Sequence, residues 1–148
     1  VSYEGIARAL ANGDPRELSD QALAERFGCT AETVARVRHQ TGAPAYSAGY
    51  RARRIAFEEA YAARVEDVEG GHRRWTGTVS KDGVPMVCTR FGQETAARIA
   101  FRIAQGRPPV GHVKATCEVP HCVAPDCVAD RPLREELRRA ARAGAVAA

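Results

Sequence analysis

The chain has 148 residues, 45% hydrophobic and 27% charged, with a net charge of +4, enough for one domain or two small ones. No apolar run reaches the roughly eighteen residues of a membrane-spanning helix. The opening stretch Val1–Gly13 lacks the basic-then-apolar order of a signal peptide. The expected setting is therefore reducing and cytoplasmic, with no membrane partner. The charge is uneven: residues 1–50 carry five arginines and six acids, whereas residues 72–148 carry thirteen basic and seven acidic side chains. A basic C-terminal half points toward nucleic acid, although a solvated surface in an arginine-biased chain has the same composition.

Taken in order, Tyr3, Ile6, Ala7 and Leu10 have helical spacing over residues 3–12, and Asn12-Gly13-Asp14-Pro15 ends that helix. Ser19 is placed to cap a second helix with Leu23, Ala24 and Phe27 on one face. Gly28-Cys29 makes a sharp turn, and Thr30 caps a third helix in which Val34 and Val37 point inward. Cys29 fits a packed thiol better than a ligand. The segment DQALAERFGCTAETVARVRH, Asp20–His39, resembles the helix-turn-helix of transcription regulators and DNA-invertase-like proteins. That resemblance implies that Thr30, Ala31, Glu32, Ala35, Arg36 and His39 face outward on a recognition helix, where Arg36 would read guanine or hold a phosphate. An ordinary helical hairpin is the alternative.

Gly42-Ala43-Pro44 stops this helix. A linker over 43–50 then leads into a helix expected over 51–67. Its basic start (Arg51, Arg53, Arg54) and acidic end (Glu66, Asp67, Glu69) oppose the helix dipole. A phosphate-binding cluster or a solvated face would each explain that order. Gly70-Gly71 is the expected domain boundary, which gives a domain over 1–45, a connecting segment over 46–70 and a second domain over 71–148.

Beyond it, residues 72–77 and 84–88 flank Ser80-Lys-Asp-Gly83 as an expected β-hairpin. Helical spacing returns from Gln93 to Gln105, with Ala96, Ile99, Ala100 and Ile103 inward, and Gly106-Arg-Pro-Pro ends it. Residues 131–142 read as a basic amphipathic helix with Leu133 and Leu137 one turn apart, followed by an alanine-rich tail within 140–148. The fold class expected is α+β.

Before the last helix stands CEVPHCVAPDC, in which Cys117, Cys122 and Cys127 are separated by four residues each. Three thiols at this spacing suggest metal ligands, zinc first. Buried structural thiols or a disulfide are the alternative, but three cysteines cannot pair evenly. Cys88 on the hairpin is one source of a fourth ligand.

The segments GHRRWTG, KDGVPM, AARIAFRIAQGRPPVG and VKATCEVPHCVAPDCV resemble, over about residues 70–140, the zinc-containing homing-endonuclease branch of the HNH (His-Me finger) nucleases. The resemblance implies a small ββα domain stapled by structural Zn²⁺ on His72, Cys117, Cys122 and Cys127, with His72 at the position of the family's first ligand. The family's catalytic histidine falls on Ala115, the asparagine before the loop proline on Ala124, and the helix histidine on Ala97. Beyond Asn12 the chain has no asparagine. His112 and His121 are the remaining candidate bases, and Glu135 and Glu136 the remaining carboxylates on the last helix.

The function expected is a non-catalytic double-stranded-DNA-binding protein on an inactivated nuclease scaffold. Arg73, Arg74, Arg90, Arg98 and Arg102 would contact phosphates, and Trp75 would pack in the core or reach the duplex. Similarity to the McrA-type readers of modified DNA implies 5-methylcytosine as the mark. The alternatives are an active nicking or homing endonuclease, a regulator of an unmodified operator binding as a homodimer, and a protein-interaction module.

Overall fold

The computed structural model describes residues 2–147; Val1 and Ala148, the outermost residues of the N-terminal segment and of the alanine-rich tail, lie outside them. Among the described residues are six α-helices and three two-stranded antiparallel sheets, an α+β protein. No helix among them is long and apolar enough to cross a membrane. The chain divides into two compact units, Val1–Arg54 and Ile55–Ala148.

The first unit begins with α1 (Tyr3–Asn12), α2 (Asp20–Phe27) and α3 (Ala31–Thr41). Their starts follow the local chemistry read above. The Ser19 hydroxyl accepts the Ala22 N–H at 3.0 Å and the Thr30 hydroxyl accepts the Thr33 N–H at 3.2 Å, each such cap being worth about 1 kcal/mol. Gly28 closes α2 with φ of 62°, a left-handed conformation that a side chain would strain. Ile6, Leu10, Leu23, Ala24, Val34 and Val37 are buried together, with Phe27 and Cys29 packed against them.

One member of this core carries a charge. Arg38 is only 6% exposed. Its Nε and Nη2 donate to Asp20 Oδ1 at 3.0 and 2.7 Å, Nη2 also to the Leu18 carbonyl, and Nη1 to the carbonyls of Pro15 and Pro44. A buried guanidinium persists only where its donors are met in this way. It ties α3 to the segment entering α2 and to the chain leaving α3.

The next helix, α4 (Tyr50–Ala62), is shorter than the expected 51–67. Residues 65–68 instead form β1 (Val65–Val68), antiparallel to β2 (His72–Trp75) with Glu66 opposite Arg74 and Asp67 opposite Arg73. Opposite charges directly across a strand pair favour that pairing, and both form ion pairs. The acids that would have opposed a helix dipole are therefore not in the helix. Gly70-Gly71, both with positive φ, belongs to the β1–β2 turn and is not a domain boundary; the division falls between Arg54 and Ile55.

The expected hairpin around Ser80–Gly83 is corrected in the same way. The turn exists, with Gly83 N–H donating to the Ser80 carbonyl at 2.9 Å, but only the isolated bridge Val79↔Pro85 flanks it. Residues 86–89 pair forward, as β3 (Met86–Thr89) with β4 (Gly92–Thr95). Thr95 then caps α5 (Ala96–Gln105), so residues 93–95 are strand, not helix. Ala96, Ile99, Ala100 and Phe101 are fully buried, while Ile103 is 44% exposed because the last turn of α5 runs past the core. The core of this unit joins them to Phe57, Tyr61, Trp75, Val87, Val123 and Val128.

Two short strands, β5 (Lys114–Ala115) and β6 (Val128–Ala129), pair beside the cysteine loop, and α6 (Arg131–Ala147) closes the chain. Asp130, fully buried, accepts from Arg107 at 2.8 Å and from the N–H groups of Val110 and Leu133. Burial works against its charge, but these donors prevail and hold its carboxyl below the ordinary range. Leu133 is half-buried, whereas Leu137 is 48% exposed.

Replacing Arg38 by Met should destabilise the first unit by about 3 kcal/mol, since carbonyls and a carboxylate lose their donor. Asp20→Asn should cost only about 1 kcal/mol, because that carboxylate is a third exposed. Chemical denaturation followed by circular dichroism checks both; equal losses would show that the carboxylate, not the carbonyl set, governs the clamp.

Candidate metal centre and the proposed DNA-facing residues

His72 opens β2, directly after the turn that returns from β1. Cys117 follows β5, Cys122 lies in the loop, and Cys127 ends a 3-10 turn over Pro125–Cys127 that leads into β6. Backbone bonds hold this loop on β2: Trp75 N–H donates to the His121 carbonyl at 3.2 Å, Val123 N–H to the Arg73 carbonyl at 2.8 Å, and Arg74 bridges Cys122. The Tyr61 hydroxyl adds a bond to the Val123 carbonyl at 2.6 Å.

The result is one cluster. His72, Cys117, Cys122 and Cys127 offer ligand atoms that all lie within 4.8 Å of one another, a group that could hold a metal ion. The His72 Nδ1 stands 3.4 Å from the Cys127 sulfur and 3.7 Å from the Cys122 sulfur. A tetrahedral ion with metal–sulfur and metal–nitrogen bonds of about 2.3 and 2.0 Å requires nitrogen–sulfur edges of about 3.5 Å. The donors therefore fit such an ion. Cys88 is exposed on β3 and is not a member of the cluster. Gly70 covers the ring: a Cβ there would meet His72 Cδ2 at 3.2 Å and Nε2 at 3.4 Å.

Burial disfavours the Cys122 thiolate, but the N–H groups of Ala124 and Arg73 and the His72 ring outweigh it and hold this thiol at about 7. Burial and then the neighbouring Cys122 and Cys117 push Cys127 up to about 12. Three thiolates cannot share this volume without a cation, so an ion binding near neutral pH must displace at least the Cys127 proton.

Of the outward set on α3, Thr30, Glu32, Ala35, Arg36 and His39 are exposed. Ala31 is instead half-buried, packed against the first core. Arg36 pairs with Glu32 at 3.7 Å. Trp75 is 5% exposed, stacks on Tyr61 and donates Nε1–H to the Thr78 carbonyl at 2.9 Å; it is a core residue and does not reach a surface.

Most of the other arginines are already engaged. Arg73 pairs with Asp67, Arg74 with Glu66, Arg54 with Glu17, and both Arg98 and Arg102 with Glu94. Arg53 bonds Ser47, and Arg90 lies over the Phe91 ring. Arg51 is exposed. The sequence reading missed the Arg38 clamp and the Asp130 cap. No local signal marked Arg38, whereas Asp130 stands where an N-cap belongs, just before the last helix.

Comparison of the chain with protein-family models, with curated proteins and with solved structures finds no match.

Titration with Co²⁺ should show one tetrahedral thiolate site per chain, lost in His72→Ala and Cys122→Ala and kept in Cys88→Ala. Loss in Cys88→Ala would place the fourth ligand elsewhere. Apparent affinity should fall about tenfold or more per pH unit lowered below 7, because each displaced proton competes with the ion. An affinity flat with pH would mean that the thiols are not the ligands.

Proposed function

We propose that the protein is a double-stranded-DNA-binding protein without catalytic activity, stapled by structural Zn²⁺ and reading modified, 5-methylcytosine-bearing DNA. The observation that carries the DNA-binding part is α3. The Thr30 cap, the Gly28 turn and the Arg38 clamp fix this helix, while Thr30, Glu32, Ala35, Arg36 and His39 stand free of the core. That is what a helix-turn-helix needs in order to enter a major groove. A cytosine methyl lies in that groove as a thymine methyl does, and a small apolar side chain senses it. Ala35 is the candidate contact, since Ala31 leans on the core and Trp75 is buried.

Zinc is the ion proposed because sulfur and imidazole donors at tetrahedral edge lengths suit it. When bound it would neutralise the thiolates and lock the loop to β2. Absence of catalysis is supported by a cleft of about 430 Å³ in the second unit. Ala97, Val113, Ala115, Val84 and Pro85 line it where the nuclease resemblance would put a base, leaving His121 as the one imidazole at its wall. His121 also supports a second reading. Its φ of 54° is an uncommon backbone state for a non-glycine residue, and strained residues gather at active sites. Metal-dependent nicking through His121 is that alternative.

Fluorescence-anisotropy titration of two otherwise identical duplexes, one carrying 5-methylcytosine, tests the proposal. Tighter binding to the modified duplex by about 1–2 kcal/mol, or roughly 5- to 30-fold, is expected, with Ala35→Gly lessening the difference. Equal binding would leave an operator-type reader. Plasmid nicking with Mg²⁺ that His121→Ala abolishes would establish the nuclease instead.

A further inference from the structure

The arginines of β2 and α5 are consumed by Glu66, Asp67 and Glu94. Those of α6 are not. Among the described residues the side chains of Arg131, Arg138, Arg139 and Arg142 make no ion pair or hydrogen bond, although Glu135 and Glu136 share their helix. At 100° per residue, Arg131, Arg134, Arg138 and Arg142 fall in one stripe about 80° wide.

The helix itself is unusual. From Glu135 to Ala145 every residue is exposed. About three turns of helix thus stand without a packed face, in a segment too short to be stable by propensity alone. Beside them runs a groove of about 500 Å³ lined by Ala115, Thr116, Arg134, Leu137, Arg138 and Ala141. Lys114 is exposed next to Ala115 on β5. The groove has an apolar floor and cationic walls; Glu135 lies on the side of the stripe away from the groove, about 20° beyond Arg142 around the helix.

From this arrangement we infer that α6 and β5 form the phosphate-gripping surface of the second unit, seating one backbone of a DNA duplex along the Arg131–Arg142 stripe. The inference rests on the DNA-binding reading above and moves its phosphate contacts from β2 and α5 to α6. A sugar–phosphate backbone alternates apolar deoxyribose with anionic phosphate, which matches the floor and walls; an acidic peptide supplies the charge without the sugar. The stripe spans about 16 Å of helix, against a phosphate every 3.4 Å or so of rise along one strand. Arg134 also ties α6 to the carbonyls of Asp130 and His112, so it positions the stripe as well as lining it.

The experiment is a salt series of anisotropy titrations with an unmodified 20-base-pair duplex. It compares the wild type, Arg131→Gln/Arg138→Gln/Arg142→Gln, and the control Arg73→Gln/Arg74→Gln/Arg98→Gln. The first triple removes side chains with no internal partner, so circular dichroism should be unchanged, and Arg134 is spared. The expected result is about a hundredfold weaker binding near 0.1 M salt and a log–log salt slope reduced by about 2.7, at 0.9 for each lost phosphate contact. The control should retain the wild-type slope. A first triple with the wild-type slope, beside a wild type that binds, overturns this inference alone. A wild type that binds no duplex, or that prefers soluble polyglutamate, overturns the DNA-binding reading and this inference with it.

Discussion

The second unit depends on bringing one imidazole and three sulfurs into the same few ångströms. The ligands come from parts of the chain far apart: His72 lies 50 residues from Cys122 and 55 from Cys127. Closing so long a loop carries an entropic cost that short two-stranded sheets cannot offset alone. Once the donors meet, β2 is held on both edges, by β1 on one side and by the cysteine loop on the other. Tyr61 and Trp75 then stack at a ring separation of 6.2 Å beneath it. Burial and the neighbouring sulfurs push Cys127 up to about 12, whereas, against its own burial, backbone N–H groups bring Cys122 down to about 7; a cation among them would favour the thiolates.

The first unit solves its packing differently. Its core is six small or medium apolar side chains from three helices, thin for a compact unit. The guanidinium of Arg38 supplies what apolar burial does not, binding four acceptors from segments that would otherwise be free to separate. Each unit thus gathers polar groups from distant segments at one point, the Arg38 guanidinium in the first and the His72, Cys117, Cys122 and Cys127 cluster, which could hold a metal ion, in the second.

What could be read from the sequence follows the range of the interaction. Ser19, Thr30, Gly28 and Gly42 act within four residues, so their caps and turns were legible, and so were the inward positions between them. The cysteine spacing was legible because metal chemistry restricts ligand types. Cys88 and His72 could not be told apart by residue type; only the resemblance favoured His72, and the fold places that side chain in the cluster. Strand pairing was the weak point. Val65–Val68 continues a helical pattern, and its partner is fixed by charges on β2 that no local window contains. The second hairpin failed for the same reason: Lys-Asp-Gly does make its turn, but residues 86–89 pair with a segment that reads equally well as the start of α5.

Arginine was the residue whose type said least. All twenty look alike in composition, and a net charge of +4 treats them as one surface. In the fold they separate into at least three populations. Arg38 and Arg102 are spent inside the units, Arg73 and Arg74 are matched by acids across a strand pair and Arg98 by Glu94 on the strand before its helix, and Arg131, Arg138 and Arg142 are left unmatched. Only the last kind keeps its full attraction for an external anion, because a neighbouring carboxylate offsets part of a paired arginine's charge. A count of basic residues therefore overstates the polyanion-binding capacity of β2 and α5. It does not distinguish them from α6, where the basic residues are about as dense in sequence but Arg131, Arg138 and Arg142 have no side-chain partner.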